Sequence, residues 1–278
     1  MSEPAIHIFS HHAMATEFQV RIAGEENAYA AQTAQAAFAL ADKLESSLSR
    51  FRADSEISRI TQLAPGKTLR LSEPVFACLE IAKKMEMATR GAFSISAAAL
   101  QSQSAMPQWT LLPEIFSIRC DSGKLEFDLG AIGKGFALDR MAEVLREWSC
   151  GSFLLVAGGS SILAGEPPPE TSGWPCGLGD DDSPVRCHLK NASLSGSGLA
   201  VKGRHVLDPR TGKPAHRQNR AWAMAQTAAE SDALSTACMV LDEADMPGIV
   251  FNLTGSFVWL VDGHEWKQFG TVKSIGPT

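Results

Sequence analysis

Apolar and polar residues alternate from Glu17 to Gly24, with Phe18, Val20 and Ile22 on one face, which predicts a strand. From Asn27 to Phe51 the period becomes helical. Ala37, Leu40, Leu44, Leu48 and Phe51 form one stripe, so an amphipathic helix packed on a core is expected. Arg52 to Lys67 reads as a polar connection turning at Pro65-Gly66. Ser72 then offers an N-cap and Pro74 suits a first helical turn. Val75, Leu79, Ala82 and Met85 carry this second helix, and Gly91 suits its C′ position. Pro107 to Pro113 reads as irregular. Alternation returns at Lys124 to Leu129, a predicted strand that runs into Gly130 to Gly135 and then a helix bearing Met141, Val144, Leu145 and Trp148. Phe153 to Ala157 is a short buried strand ending at Gly158-Gly159, and Pro167 to Pro175 a Pro-rich loop. A strand over Arg220 to Thr227, a helix over Glu230 to Leu241 and a strand over Ser256 to Val261 complete the pattern. Strands and helices mix without a βαβ rhythm, so the fold class is α+β.

Composition narrows the function classes. The chain has 278 residues, 45% hydrophobic and 20% charged, enough to build a sizeable core as one large domain or two intimate ones. A net charge of -6, with no Lys/Arg-rich run, leaves no nucleic-acid footprint. No apolar stretch approaches the length of a transmembrane helix. The acidic start Met1-Ser2-Glu3-Pro4 has no apolar h-region and no early Cys to carry a lipid. The expected location is cytoplasmic as the sequence stands, or periplasmic if a leader has been removed. The six cysteines contain no C-x-x-C pair and read as reduced packing residues; a Cys176–Cys187 disulfide has no support from spacing, and zinc is not expected.

Three segments carry candidate chemistry. Asp128-Leu-Gly-Ala-Ile-Gly-Lys-Gly-Phe-Ala-Leu-Asp139 is a glycine-rich turn opening a helix, a place where unpaired N–H groups and Lys134 suit phosphate. Its spacing fits neither a P-loop nor a dinucleotide fingerprint, and an ordinary strand-to-helix turn with a surface lysine fits the pattern equally well. Asp232 and Thr236 lie four apart on a helix and share a face, offering hard oxygen ligands for Mg²⁺; a helix-start Asp with a back-bonded Thr is the plainer alternative. His205 precedes the turn Asp208-Pro209-Arg210-Thr211-Gly212 and could act as a general base or simply flank a hairpin. His11-His12 lacks a partner at ligand spacing, and Asp180-Asp181-Asp182 reads as a solvated loop.

Taken together and in order, these segments resemble the ApbE family of FAD:protein FMN transferases. Met14-Ala15-Thr16 is similar to the family's Met-Gly-Thr. Leu48-Ser49-Arg50-Phe51 and Ser55 to Ile60 match "LSRF…SEISRL", and Gly91-Ala92-Phe93 the start of "GAFD-x-T". Asp128 to Asp139 matches "DLGGIAKGYAVD", Gly158-Gly159 the glycine pair and Ser197-Gly198 the "SG". His205 to Gly212 matches "HIIDPRTG", and Asp232 to Thr236 matches "ADALSTA".

The resemblance implies a single domain over residues 1–278 with a two-lobed α+β fold, mixed or antiparallel sheets, flanking helices and an FAD cleft between lobes. It implies Mg²⁺-dependent transfer of FMN from FAD to a threonine hydroxyl of an acceptor protein, with release of AMP. By position, Met14, Ala92, Phe93, Ser94, Asp128 and Lys134 would line the flavin site. The Ala131 carbonyl, Asp232 and Thr236 would hold Mg²⁺, and His205, oriented by Asp208, would take the proton. Ser94, Thr61 and Ser160 replace the family's Asp, Asn and Asp/Asn, and the stretch from Ser197-Gly198 to His205 is short. An FAD pyrophosphatase and a non-catalytic FAD-binding protein of the same fold are the alternatives.

Overall fold

The N-terminal alternation builds a hairpin. β1 (Ile6–Ala13) pairs antiparallel with β2 (Thr16–Ala23), and the register Ala13↔Thr16 leaves a two-residue turn, Met14-Ala15. Both turn residues sit at positive φ (52° and 57°), the conformation a tight hairpin of this twist requires. This computed structural model describes residues 5–102, 105–178, 185–198, 206–215, 220–262 and 265–270.

β2 belongs to an eight-stranded sheet whose neighbours are β6 (Phe153–Ala157), β7 (Ser161–Ala164), β10 (Ala192–Gly198), β11 (Arg220–Ala225), β12 (Phe257–Asp262) and β13 (Glu265–Phe269), in that order after β1 and β2. Every pairing is antiparallel. A second sheet joins β3 (Thr68–Arg70), β5 (Ser117–Ser122) and β4 (Gln108–Leu112), and a hairpin joins β8 (Trp174–Leu178) to β9 (Val185–Leu189). The α+β expectation with antiparallel sheets holds.

The large sheet is covered on both faces. Phe153, Leu155, Ala221, Ala223, Val258 and Leu260 point into the main core with α1 (Asn27–Leu48), α3 (Glu73–Ala88), α4 (Gly133–Glu147) and α5 (Ala228–Ala237). Alternate residues, Leu154, Met224, Phe257 and Trp259, face a second core under the β8–β9 hairpin. This two-sided burial follows from the side-chain period of two. A short helix, α6 (Met246–Asn252), precedes β12.

Five sequence expectations change. Helix α1 stops at Leu48, so Phe51 leaves the apolar stripe and is 83% exposed. The polar connection contains a helix, α2 (Glu56–Thr61), started by the Ser55 side chain, which accepts from the Ser58 N–H. α3 ends in a Schellman motif with Arg90, not Gly91, at C′: Arg90 N–H bonds Met87 O and Gly91 N–H bonds Glu86 O. The predicted strand at Lys124 to Leu129 keeps its alternation, with Leu125, Phe127 and Leu129 buried, but has no ladder partner. It is an extended segment pinned by Asp128 N–H to Ile95 O. Residues 108–112, read as irregular, form β4. Cys176 and Cys187 face each other across the β8–β9 hairpin as free cysteines.

Candidate functional site

The glycine-rich turn works first as a packing device. The ideal Cβ of a residue at Gly135 would lie 2.1 Å from the Ala228 carbonyl oxygen, so α4 and α5 meet there backbone to backbone. That approach lets the Gly135 N–H donate to Asp232 Oδ2 at 2.8 Å. Ser161 Oγ donates to Asp232 Oδ1 at 2.6 Å, and Lys134 Nζ stands 3.8 Å from Oδ2. Asp139, one turn on, accepts from the Ala228 and Ala229 N–H groups at 2.7 and 2.9 Å. It therefore satisfies the orphan donors at the N-terminus of α5 and ties α5 to α4 a second time.

The expectation that the loop's N–H groups await a phosphate is corrected for four of them. Gly130 N–H donates to Asp128 Oδ1, Ile132 N–H and Gly133 N–H to Leu129 O, and Gly135 N–H to Asp232. The physical reason is that a tight turn at a buried helix start satisfies its own donors. Lys134, whose side chain is 16% exposed, supplies the positive charge there.

Above this junction two cavities adjoin, sharing Arg50, Asp128 and Gly130. One is lined by Met14, Ala15, Leu48, Phe51, Gly133 and Lys134 among others. The other, of about 490 Å³, is lined by Ala92, Phe93, Ser94, Ala131, Leu207, Pro209 and Thr236 among others. Thus Met14, Ala92, Phe93, Ser94, Asp128, Lys134, Ala131 and Thr236, spread over more than two hundred residues of sequence, converge on one cleft. Asp232 lies just beneath, 5% exposed, in contact with Lys134. A carboxylate, a hydroxyl and a backbone carbonyl are hard oxygen donors that fit Mg²⁺. Among the described residues no group of three or more His, Cys, Asp or Glu gathers.

His205 lies outside the described residues, as do Asp180, Asp181 and Asp182. Asp208 is described: it is 8% exposed and accepts from the Arg210 backbone N–H, Nε and Nη2, each at 2.9 Å. Arg210 Nη2 also reaches Val240 O, so the turn 208–212 is fastened beyond the end of α5. The Asp208 pairing holds the Arg210 guanidinium above its usual pKa.

Sequence reasoning missed four contributors. Arg50 touches both cavities and stands 3.5 Å from Asp128, although only its motif was noticed. Asp139 was visible only as the last letter of the glycine-rich segment. Burial pushes its carboxyl up to about 7, against the pull of its two N–H donors, with Asp232 and Glu230 adding to the rise. Ser161 and Ser197 carried no spacing signal that could have marked them as partners of α5.

The family model described as the ApbE family matches residues 14–256. A Klebsiella pneumoniae (strain 342) protein named FAD:protein FMN transferase is 24% identical over 249 residues, covering 77% of this chain and 75% of the relative. A Treponema pallidum protein of the same name is 25% identical, covering 73% and 70%. Among solved structures, the ApbE protein of Thermotoga maritima aligns with TM-score 0.82 at 21% identity, covering 95% of this chain and 97% of that one. The flavin transferase ApbE of Vibrio cholerae aligns with TM-score 0.81 at 17% identity, covering 96% and 97%.

Proposed function

The chain belongs to the ApbE family, and from that premise we propose that it transfers FMN from FAD to a threonine hydroxyl of an acceptor protein, with Mg²⁺ bound at Ala131, Asp232 and Thr236. The relatives named FAD:protein FMN transferase support the reaction class. The observation that carries the reading for this chain is the meeting of Lys134 and Asp232 beneath the cleft, with Thr236 lining it.

In this reading the isoalloxazine and ribityl parts of FAD occupy the space bounded by Met14, Ala92, Phe93, Ser94 and Asp128. Lys134 faces the pyrophosphate and stabilises the charge that develops as its bridging P–O bond breaks. Bound Mg²⁺ would supply further neutralisation of that charge. The acceptor threonine oxygen forms a bond to the FMN phosphorus, AMP leaves, and His205 receives the threonine proton. Asp208 acts through the turn it fixes with Arg210. The α4–α5 junction holds Lys134 in register with the carboxylate, so orientation is set before substrate arrives.

Replacing Asp232 by Asn tests the metal assignment. FAD turnover should lose its Mg²⁺ dependence and fall sharply, while circular dichroism shows the fold retained, even as the disturbed bonds from Gly135 N–H and Ser161 Oγ lower the Tm. Full activity with an unchanged Mg²⁺ requirement would show that Asp232 is not a ligand.

A further inference from the structure

The strand β10 faces α5 through a seam of buried hydroxyls. Ser193 and Ser195 both bond Ser231, while Ser197 bonds Ser235 at 3.0 Å and Thr236 at 3.2 Å. The second group has a direction. Each hydroxyl owns one proton. Ser235 Oγ donates its proton to the Asp232 backbone carbonyl at 3.0 Å. Ser197 must therefore be the donor to Ser235, and the Ser197 oxygen is left to accept from Thr236 Oγ1. The proton of Thr236 is thus drawn toward β10, and the residue itself lines the cleft.

We propose that Ser197 and Ser235 are positioning residues whose directed hydroxyl relay fixes the Thr236 proton away from the cleft and presents its oxygen solely as an acceptor for a hard divalent cation. The inference rests on the Mg²⁺ reading given above. A free Thr rotor would offer its proton to the cleft in some orientations, and a cation cannot use it there. The relay removes those orientations before the metal arrives. Ser161 does the corresponding work on the carboxylate, since a carboxylate can only accept and Ser161 Oγ must donate to it.

The test reads metal affinity without turnover. Mn²⁺ is titrated into the full chain with FAD and no acceptor protein, and free Mn²⁺ is measured by electron paramagnetic resonance. Ser197→Ala and Ser235→Ala should each weaken Mn²⁺ binding about tenfold, the low end for groups that orient a metal ligand. Ser197→Thr, which keeps a hydroxyl, should restore affinity to near the parent. Ser195→Ala is the control: it removes a buried hydroxyl from the neighbouring group, bonded to Ser231, and should leave affinity unchanged. Parental affinity in the folded Ser197→Ala and Ser235→Ala variants, while Thr236→Val lowers it, would overturn the relay and leave the metal reading standing. An equal loss in Ser195→Ala would also overturn it, as a general packing effect. No Mn²⁺ retention by the parent, or no loss in Thr236→Val, would remove the metal reading and the relay together. Should Ser197→Ala melt too low to measure, Ser235→Ala carries the decision.

Discussion

Gly135→Ala is the sharpest perturbation the structure offers. The added Cβ would sit 2.1 Å from Ala228 O and 2.4 Å from its carbonyl carbon, with Ala229 N at 2.7 Å. All three are backbone atoms, so no rotamer change can relieve the contact, and α5 must move by roughly 1 Å. Overpacking of this kind costs about 1–3 kcal/mol. Displacing α5 also weakens the Gly135 N–H bond to the buried Asp232 carboxylate, a charge-assisted bond whose loss costs about 1.5–3 kcal/mol. Replacing glycine inside a helix returns about 1 kcal/mol. The net is a destabilisation of about 1.5–5 kcal/mol, or roughly 3–20 °C in Tm for a chain of this size. Gly133→Ala is the internal control, because its Cβ would meet only Leu129 Cβ, at an ordinary 3.6 Å. It should be neutral or stabilising by up to about 1 kcal/mol. Differential scanning calorimetry of both variants, followed by FAD turnover, gives the readout. Gly135→Ala should lose turnover beyond its loss of stability, since Lys134 and Asp232 separate. A Tm within about 1 °C of the parent would refute the close approach of α4 and α5 and the reasoning built on it.

Asp139 gives a pH signature. Its folded pKa of about 7 lies above the ordinary aspartate value of 3.8, so the stability linked to its protonation is complete below about 3.8 and is lost as pH rises toward 7. In Asp139→Asn that decline should shrink, by at most about 4 kcal/mol between pH 4 and 7, and unfolding curves that stay parallel across that range would contradict the burial of the charge. His205→Ala should slow FMN transfer by about 10²–10⁴-fold with little change in FAD affinity. Transfer at the parental rate would place the base elsewhere, and collapse of FAD binding would make His205 a positioning group instead.

What the sequence made legible depended on period and on short-range chemistry. The faces of β2, β6, β11 and β12 and the stripe of α3 followed from alternation and helical spacing, because each borders the main core. Lys124 to Leu129 shows where that reasoning stops: alternation reports burial on one side, whereas strand assignment needs a hydrogen-bonding neighbour that periodicity cannot reveal. α2 was hidden because six residues carry little periodic signal, although Ser55 was a legible cap. At the site, Lys134, Asp232 and Thr236 were found through their local patterns and a family resemblance. Gly135 was noticed for its freedom, yet its structural reason is the closeness of a helix nearly a hundred residues away in sequence. Ser197 and Asp139 fell inside matched segments, but their bonds to α5, like that of Ser161, are tertiary and leave no mark on local sequence.

The most direct test of the central claim incubates the full chain with FAD, Mg²⁺ and a flavin-acceptor protein bearing a threonine target. In-gel flavin fluorescence and AMP release are followed together. The account predicts a covalently fluorescent acceptor and AMP formed one for one, both abolished by chelation of Mg²⁺ and by replacing the target threonine with alanine. AMP and free FMN appearing without acceptor labelling would instead make the protein an FAD pyrophosphatase, and FAD bound but unchanged would make it a binding protein; either result contradicts transfer.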